Sequence, residues 1–95
     1  MVVEILRFIT PPELRDEFIE RDAEIWTPAL AAHPGFVDKE VWADRQDPGR
    51  VTIMIHWASC EQWKQFPRDL EEQLDARMRH LYTSFSSEEY EVRKL

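Results

Sequence analysis

The chain has 95 residues, which suffices for one domain spanning residues 1–95, and 43% of them are hydrophobic, as in a chain that folds around a core. Its formal net charge of −7 argues against a nucleic-acid partner or an anionic membrane surface, because both attract clustered Lys and Arg. No apolar run approaches the roughly 20 residues needed to cross a bilayer, so we expect no membrane partner.

The first predicted element is a β-strand from Val2 to Ile9, a segment rich in β-branched and apolar residues that ends just before two prolines. Apolar residues occupy both of its faces, with Val3, Ile5 and Ile9 on one and Val2, Leu6 and Phe8 on the other. We therefore expect helices over one face of the sheet and the sheet of a second subunit over the other.

A helix is predicted from Glu13 onward, where apolar residues recur at helical spacing, namely Leu14, Phe18, Ile25 and Ala29. Pro28 has no backbone N–H to donate, so the helix is expected to end or kink near Trp26. Alternatively, Thr27 and Pro28 begin a separate short turn that runs to Ala32.

A β-hairpin is predicted next, with one strand from Phe36 to Asp44, turn residues from Arg45 to Gly49, and a second strand from Arg50 to Trp57. In the first of these strands, alternation places Val37, Val41 and Ala43 on one face, and Phe36 and Trp42 on the other. In the second, Val51, Ile53, Ile55 and Trp57 share one face, and Thr52, Met54 and His56 share the opposite face.

The last third of the chain predicts two helices and a final strand. Ser59 followed by Gln62 is a capping-box pattern, and it indicates a short helix through Trp63 and Phe66. Pro67 suits the first turn of a further helix, whose apolar side carries Leu70, Leu74, Met78 and Leu81. Alternation from Ser87 to Leu95 predicts the last strand. The order β-α-β-β-α-β indicates an α+β, ferredoxin-like fold, in which an antiparallel sheet carries helices on one face.

Three short motifs and the element order resemble a known family. The motifs are Pro34-Gly35-Phe36 at the entry to the second strand, Val51 to Trp57 ending in Trp57-Ala58-Ser59, and Glu61-Gln62-Trp63 in the next helix. Together they resemble the antibiotic biosynthesis monooxygenase superfamily of dimeric α+β barrels, especially its short bacterial members. The resemblance implies a homodimer whose two sheets pack face to face, with a pocket between sheet and helices in each subunit.

The sequence also departs from two patterns of that superfamily. Its haem-degrading branch relies on an Asn, Trp and His set, and this chain contains no Asn, which disfavours haem degradation. Many of the enzymes carry a helix His a few residues beyond the strand-three Trp, and the corresponding position here is Phe66. The best-known catalytic residue of the superfamily is therefore missing.

His56 is the candidate catalytic residue. It lies between apolar neighbours on the third strand, where an imidazole could act as a base or orient a bound carbonyl group. The alternative interpretation is a hydrogen-bonded histidine of the core or the dimer interface. His80 is expected near a helix C-terminus, which favours a cation, and His33 is expected in an exposed loop.

Aromatic side chains are the candidate walls of a ligand pocket, because flat rings offer contact area and orientation at little cost in entropy. The candidates are Trp57, Trp63, Phe66, Trp26, Tyr82 and Trp42. The predicted ligand is a small aromatic or lipophilic molecule. The alternative is that these rings serve only core and dimer packing.

No cofactor and no metal are expected. Gly35 and Gly49 are the only glycines, so no glycine-rich phosphate loop exists, and the His, Cys and Glu residues lack a metal-ligand spacing. Cys60 is the only cysteine and cannot close an intrachain disulfide, and the first ten residues lack the pattern of an export signal. We therefore expect a cytoplasmic protein.

Three hypotheses of function follow from the sequence. The first is a homodimer that binds a small aromatic or lipophilic molecule and oxidises it without a cofactor, with His56 as its polar contact and Trp57, Trp63 and Phe66 as the walls. The second is a non-catalytic dimeric module whose aromatic residues serve only the core and the interface. The third, haem handling, requires His56 or His80 to ligate iron.

Overall fold

The computed structural model describes all 95 residues and has four strands and three α-helices. In chain order these are β1 (Val2–Ile9), α1 (Arg15–Ala31), β2 (Phe36–Ala43), β3 (Arg50–Trp57), α2 (Cys60–Lys64), α3 (Arg68–Ala76) and β4 (Ser84–Glu91). Two short 3₁₀ turns, Pro12–Leu14 and Arg79–Leu81, precede α1 and β4. The strands form one antiparallel sheet in the order β2-β3-β1-β4, which confirms the predicted ferredoxin-like fold.

The helices cover one face of this sheet. Directly opposed residues of antiparallel strands point to the same side, so the register gives the rows of side chains beneath the helices. From β1 through β3 to β2, these rows are Phe8-Val51-Ala43, Leu6-Ile53-Val41, Glu4-Ile55-Lys39 and Val2-Trp57-Phe36. Three of the four rows are apolar or aromatic throughout, and one carries a charged residue at each end.

The hydrophobic core lies between the helices and this face of the sheet. Trp57, Phe18, Leu81 and Val51 are its most completely buried large side chains. The opposite face carries no helix. There Ile5 and Met54 are buried by their neighbours, while Ile9 and Trp42 are exposed. The prediction of helices over one face is therefore confirmed, and the second face of β1 is open in the single chain.

A β-bulge at the start of β2 places Phe36 on the opposite face of the strand from the one predicted. Phe36 opposes Trp57, but the next residue in register with β3 is Asp38, so Val37 is the extra residue of the bulge. The bulge shifts the alternation by one position. Phe36 therefore lies on the helix-covered face and meets Trp57 edge to face, whereas Val37 is exposed.

Gly35 makes the connection before β2. Its φ of +94° lies in the left-handed region, and a Cβ at this position would come within 2.5 Å of the Gln62 side chain. The Gly35 carbonyl accepts a hydrogen bond from the Ala58 N–H at 2.7 Å. Glycine is thus required both for the turn and for the close approach of the segment that begins α2.

The prediction that α1 ends near Trp26 is wrong, because the helix includes Pro28 and continues to Ala31. Only one further turn follows Pro28, and that turn contributes Leu30 to the core, so packing outweighs the lost backbone hydrogen bond. No helix of the chain, α1 included, combines the length and apolar character that crossing a membrane requires.

The later elements differ from the prediction at their ends. Ser59 caps α2 by accepting the Gln62 N–H at 3.1 Å, as predicted, but the helix ends at Lys64. The long helix predicted to reach Leu81 ends at Ala76, where i to i+3 bonds tighten the chain. The last strand begins at Ser84 and ends at Glu91, because its pairing with β1 rather than apolar alternation defines its length.

Candidate functional site

A cavity of about 190 Å³ lies between the sheet and the helices. Five of the six aromatic residues singled out in the sequence line it, namely Trp26, Trp57, Trp63, Phe66 and Tyr82. Trp42 is the exception, since it opposes Thr52 on the open face of the sheet. The walls are completed mainly by apolar side chains of β1, β3, α1 and the segment after α3.

One end of the cavity is built from indole rings of α1, α2 and β3 and from the phenyl ring of Phe66, which follows α2. Trp26 and Phe66 stack with their ring centroids 6.1 Å apart. His33 packs edge-on against Phe66 and Trp57, and its Nε2 lies 2.8 Å from the Gln62 carbonyl oxygen. His33 therefore lies in the loop after α1, as expected, but it is partly buried rather than exposed, because its ring packs between α2 and the end of α1.

The other end is built around Phe8. Its ring lies 4.9 Å from Phe18, 5.1 Å from Tyr82 and 5.2 Å from Phe85, measured between centroids. The Tyr82 hydroxyl donates a hydrogen bond to Asp75 Oδ1 at 2.6 Å, which fixes the ring against the cavity. Burial, followed by this bond to a carboxylate, raises the pKa of Tyr82, so its hydroxyl keeps its proton at neutral pH.

His56 does not lie with these residues. Neighbouring residues of a strand point to opposite faces, so His56 projects from the open face while Trp57 projects into the cavity. Its Nδ1 lies 2.6 Å from Asp38 Oδ1, and Val3 opposes it from β1. The hypothesis that His56 supplies the polar contact between walls of Trp57, Trp63 and Phe66 needs correction, since one chain keeps them apart. His80 is exposed in the 3₁₀ turn and does not line the cavity either.

Glu4 is a polar residue of the cavity that the sequence interpretation did not select as a site residue. Its Oε1 accepts a hydrogen bond from the Trp57 indole Nε1 at 3.3 Å. Burial raises the pKa of Glu4, and the bond from Trp57 only partly offsets that effect. A carboxyl group on an otherwise apolar strand face is thus poised to take up or release a proton, or to meet a polar group of a ligand.

Asp22 and Lys39 form a second polar feature of the cavity. Lys39 Nζ lies 2.6 Å from Asp22 Oδ2 and 3.0 Å from Thr27 Oγ1, and the two charged side chains are only 5% and 4% exposed. Burial raises the pKa of Asp22, whereas Lys39 acts in the opposite direction. The pair joins α1 to β2. In the sheet row Glu4-Ile55-Lys39, it places an ammonium group that is paired with a carboxylate at the opposite end from Glu4.

Metal-ligating residues are not clustered in this fold, since no group of three His, Cys, Asp or Glu side chains is placed to hold a metal ion. Cys60 is exposed in the first turn of α2 and does not line the cavity. The chemistry of the cavity therefore resides in its aromatic rings, Glu4, the Asp22–Lys39 pair and Tyr82 with its partner Asp75.

Solved structures share this fold over nearly the whole chain. A variant of SnoaB, a cofactor-independent oxygenase from Streptomyces nogalater, has 18% sequence identity and a TM-score of 0.81, and the match covers 99% of this chain and 94% of that one. A candidate antibiotic biosynthesis monooxygenase from Caulobacter crescentus has 15% identity and a TM-score of 0.83, covering 98% and 90% of the two chains. At these identities the likeness shows a common fold.

Comparison at the level of sequence gives two results. The search of curated proteins finds no match. The model of the family described as antibiotic biosynthesis monooxygenase matches residues 1–77, from the start of the sheet to the end of α3. This match covers well over half of the chain and includes β1, β3 and α2, which carry Glu4, Trp57 and Trp63. The chain belongs to the antibiotic biosynthesis monooxygenase family.

Proposed function

We propose that this protein is a homodimer that binds a small planar aromatic or lipophilic molecule in the cavity and oxidises it without a cofactor. The observation that carries the proposal is the cavity of about 190 Å³, whose walls include three of the four tryptophans of the chain. An apolar cavity of roughly 150 Å³ suffices to bind benzene, so this one has room for a single substituted ring.

The polar contact for such a ligand comes from Glu4 rather than His56. Glu4 lies in the wall beside Trp57, while His56 points away from the cavity toward Asp38. In an oxidation of this type the substrate itself supplies the electrons, because conversion of a methylene group to a carbonyl by O₂ releases one water and balances without a further reductant. The protein then has to orient the ring, exclude water and exchange a proton.

Tryptophan fluorescence tests the binding part of the proposal. In a Trp42→Phe variant, the three remaining indoles, Trp26, Trp57 and Trp63, all line the cavity, so their emission reports on it alone. We expect a panel of single-ring aromatics to change this emission in a saturable way. If no member of the panel does so, the proposal of a ligand-binding cavity is wrong, and the non-catalytic module becomes the better hypothesis.

Oxygen uptake tests the catalytic part. Aromatics that bind are incubated with the protein in an oxygen-electrode cell after treatment with a chelator, and the products are weighed by mass spectrometry. Consumption of O₂ together with a product that has gained oxygen supports oxidation without a cofactor. Saturable binding without oxygen uptake would reduce the function to ligand binding.

The homodimer part of the proposal is supported by the open face of the sheet. Ile9, Trp42 and Tyr90 are 46%, 46% and 48% exposed there, on a face that no helix of the chain covers. A second copy of the sheet would bury this apolar surface. The unpaired Cys60 suits a reducing compartment, so we propose the cytoplasm as the location of this dimer.

A further inference from the structure

The charged residues that line the cavity are mainly acidic. Glu4, Asp22, Glu71, Glu72 and Asp75 line it, against Lys39 and Arg79. Both cations are already paired, Lys39 with Asp22 at 2.6 Å and Arg79 with Asp75 at 2.7 Å. The carboxyl groups of Glu4, Glu71 and Glu72 are left without a bonded cation. A ligand that enters therefore meets an excess of negative charge, and no cation of the lining is without a carboxylate partner.

Among these carboxyl groups, Glu4 is the one beside the tryptophans. It occupies the sheet itself, in the row below the Val2-Trp57-Phe36 row, and the indole N–H of Trp57 bonds to one of its two oxygens. Its second oxygen has no hydrogen-bond donor from the protein. Burial raises the pKa of Glu4, because the site solvates the carboxylate poorly. A bound cation would compensate the Glu4 carboxylate for the solvation that it loses in the cavity.

At the edge of the site, the ammonium group of Lys64 is already bound between an indole ring and a carboxylate. Lys64 Nζ lies 3.9 Å from the centroid of the Trp63 ring and 3.0 Å from Glu89 Oε2. Glu89 opposes Glu4 from β4, so its side chain belongs to the same row of the sheet. An indole face and a carboxylate hold one ammonium group here. Inside the cavity, Glu4 offers a carboxylate beside the indole of Trp57, whose N–H it accepts.

We propose that the cavity selects aromatic molecules that carry an ammonium group, with the ring among the tryptophans and the ammonium paired with Glu4. Glu4 is then a specificity-determining residue. Aromatic carboxylates are rejected, since they would face Glu4 without a free cation to receive them. This inference rests on the proposed binding function and narrows it to arylalkylamines.

Three ligands of nearly equal size test the selection. Phenethylamine is a cation near neutral pH, phenethyl alcohol is uncharged and phenylacetate is an anion, and each carries one phenyl ring. In the Trp42→Phe background, we expect the amine to bind at least about tenfold more tightly than the alcohol, as one well-placed charged contact requires. We expect no saturable change with phenylacetate.

Substitution of Glu4 by glutamine isolates its charge. The amide of Glu4→Gln can still accept the Trp57 N–H, so the shape of the cavity is kept. We expect this variant to lose about tenfold in affinity for phenethylamine and to stay within about twofold for the alcohol. Glu40→Gln is the control in the same Trp42→Phe background, because it removes one carboxylate from the open face of the sheet and lies outside the cavity. It should leave both affinities unchanged.

The pH dependence gives a second readout. Glu71, Lys64 and Glu89 are the charged groups that act on Glu4 from α3, α2 and β4. The two acidic neighbours raise the pKa of Glu4 further and Lys64 lowers it. Affinity for phenethylamine should fall as the pH drops through the pKa of Glu4, and this decline should be absent from Glu4→Gln. Affinity for the alcohol should show no such decline in either protein.

The possible outcomes separate this inference from the function on which it rests. If none of the three ligands binds, both the inference and the single-ring cavity fail. If the alcohol binds as tightly as the amine and Glu4→Gln changes neither, the inference is overturned and aromatic binding stands. Should Glu4→Gln not fold, the pH titration of the wild-type cavity replaces it. An amine affinity that does not decline as the pH drops through the pKa of Glu4 would then overturn the inference.

Discussion

Trp57 and Glu4 are joined by a hydrogen bond of 3.3 Å from the indole Nε1 to a carboxylate oxygen, across the paired strands β3 and β1. Trp57 is among the most buried side chains of the chain, so its N–H requires an acceptor within the protein. Glu4 supplies that acceptor, and as a consequence it carries an ionisable group into an apolar cavity.

The first prediction concerns the pH dependence of stability that Glu4 causes. Burial raises the pKa of Glu4 in the folded state above its ordinary value of 4.5. At a pH between the pKa of Glu4 in the unfolded state and its higher pKa in the folded state, the folded protein keeps a proton that the unfolded chain has lost. The contribution of Glu4 to stability therefore falls as the pH rises through this window and then levels off.

The difference in free energy of unfolding between wild type and Glu4→Gln isolates this contribution from those of the other acids. Both proteins are denatured with urea at closely spaced pH values. As the pH rises from about 4.5, the free energy of unfolding of wild type should fall relative to that of the variant. A difference that does not depend on pH, or one that grows in favour of wild type, would show that the folded protein solvates the Glu4 carboxylate as well as water does.

The sequence contained a signal for three polar groups of the cavity. Glu4 stands between Val2 and Leu6 on one face of its strand, Lys39 stands between Val37 and Val41, and Asp22 interrupts the helical stripe of Phe18 and Ile25. A charged residue alone on an apolar face must find a partner when it is buried. Alternation therefore predicts that these residues are buried, but pairing needs the distances between elements, which no local pattern contains.

Other features of the site had no local signal. The bulge at Val37 changes the face of Phe36, and nothing in the residues around it demands an extra residue in β2. The opposite orientations of His56 and Trp57, in contrast, follow from strand alternation alone. The fold could be predicted because β1 and β3 are rich in apolar residues and because apolar residues recur at helical spacing in α1 and α3. The site depends on which face the helices cover, and apolar residues on both faces of β1 left that undetermined.

The second prediction concerns the buried pair of Asp22 and Lys39. Lys39→Met leaves the Asp22 carboxylate without its cation at a position that is only 4% exposed, so it should reduce the free energy of unfolding by about 3–5 kcal/mol. Combining it with Asp22→Leu removes both charges and should recover most of that loss, as measured by urea denaturation.

An ion pair on the surface provides the control for the substitutions of Asp22 and Lys39. Arg21 and Glu24 are 3.2 Å apart in the same helix, with side chains 42% and 64% exposed. Arg21→Ala should cost less than about 1 kcal/mol, since solvent screens such pairs. If Lys39→Met costs no more than Arg21→Ala, water must reach Asp22, and the description of this pair as a desolvated part of the cavity is wrong.

The third prediction tests the open face of the sheet as the dimer interface. Trp42 is 46% exposed in one chain and lies on that face, so Trp42→Glu should introduce a charge into the proposed interface. In light-scattering measurements we expect the wild type to have the mass of a dimer and Trp42→Glu that of a monomer. Leu95→Glu, at an exposed apolar residue beyond β4, should leave the mass unchanged. A Trp42→Glu protein that remains dimeric would place the interface elsewhere.

The fourth prediction concerns Pro28 in the last turn of α1. Proline in the interior of a helix reduces the free energy of unfolding by about 3 kcal/mol, through the missing hydrogen bond and the ring clash. Close to the end of a helix the reduction is smaller. Replacing it also gives the unfolded chain more freedom, which costs about 0.4–1 kcal/mol. Because Pro28 is exposed and α1 is already helical through it, Pro28→Ala should stabilise the protein by about 1–2 kcal/mol in urea denaturation.

Pro12 is the matched control for this substitution. It is the first residue of the 3₁₀ turn before α1, where a backbone N–H would have no helical partner. Pro12→Ala should therefore bring no gain, and should cost up to about 1 kcal/mol through the unfolded state alone. A loss of stability in Pro28→Ala would show that the proline ring restrains the last turn of α1, from which Thr27 reaches Lys39 and Leu30 enters the core. In that case aromatic binding should weaken in the same variant, because Trp26 lies two residues before Pro28 in α1 and lines the cavity.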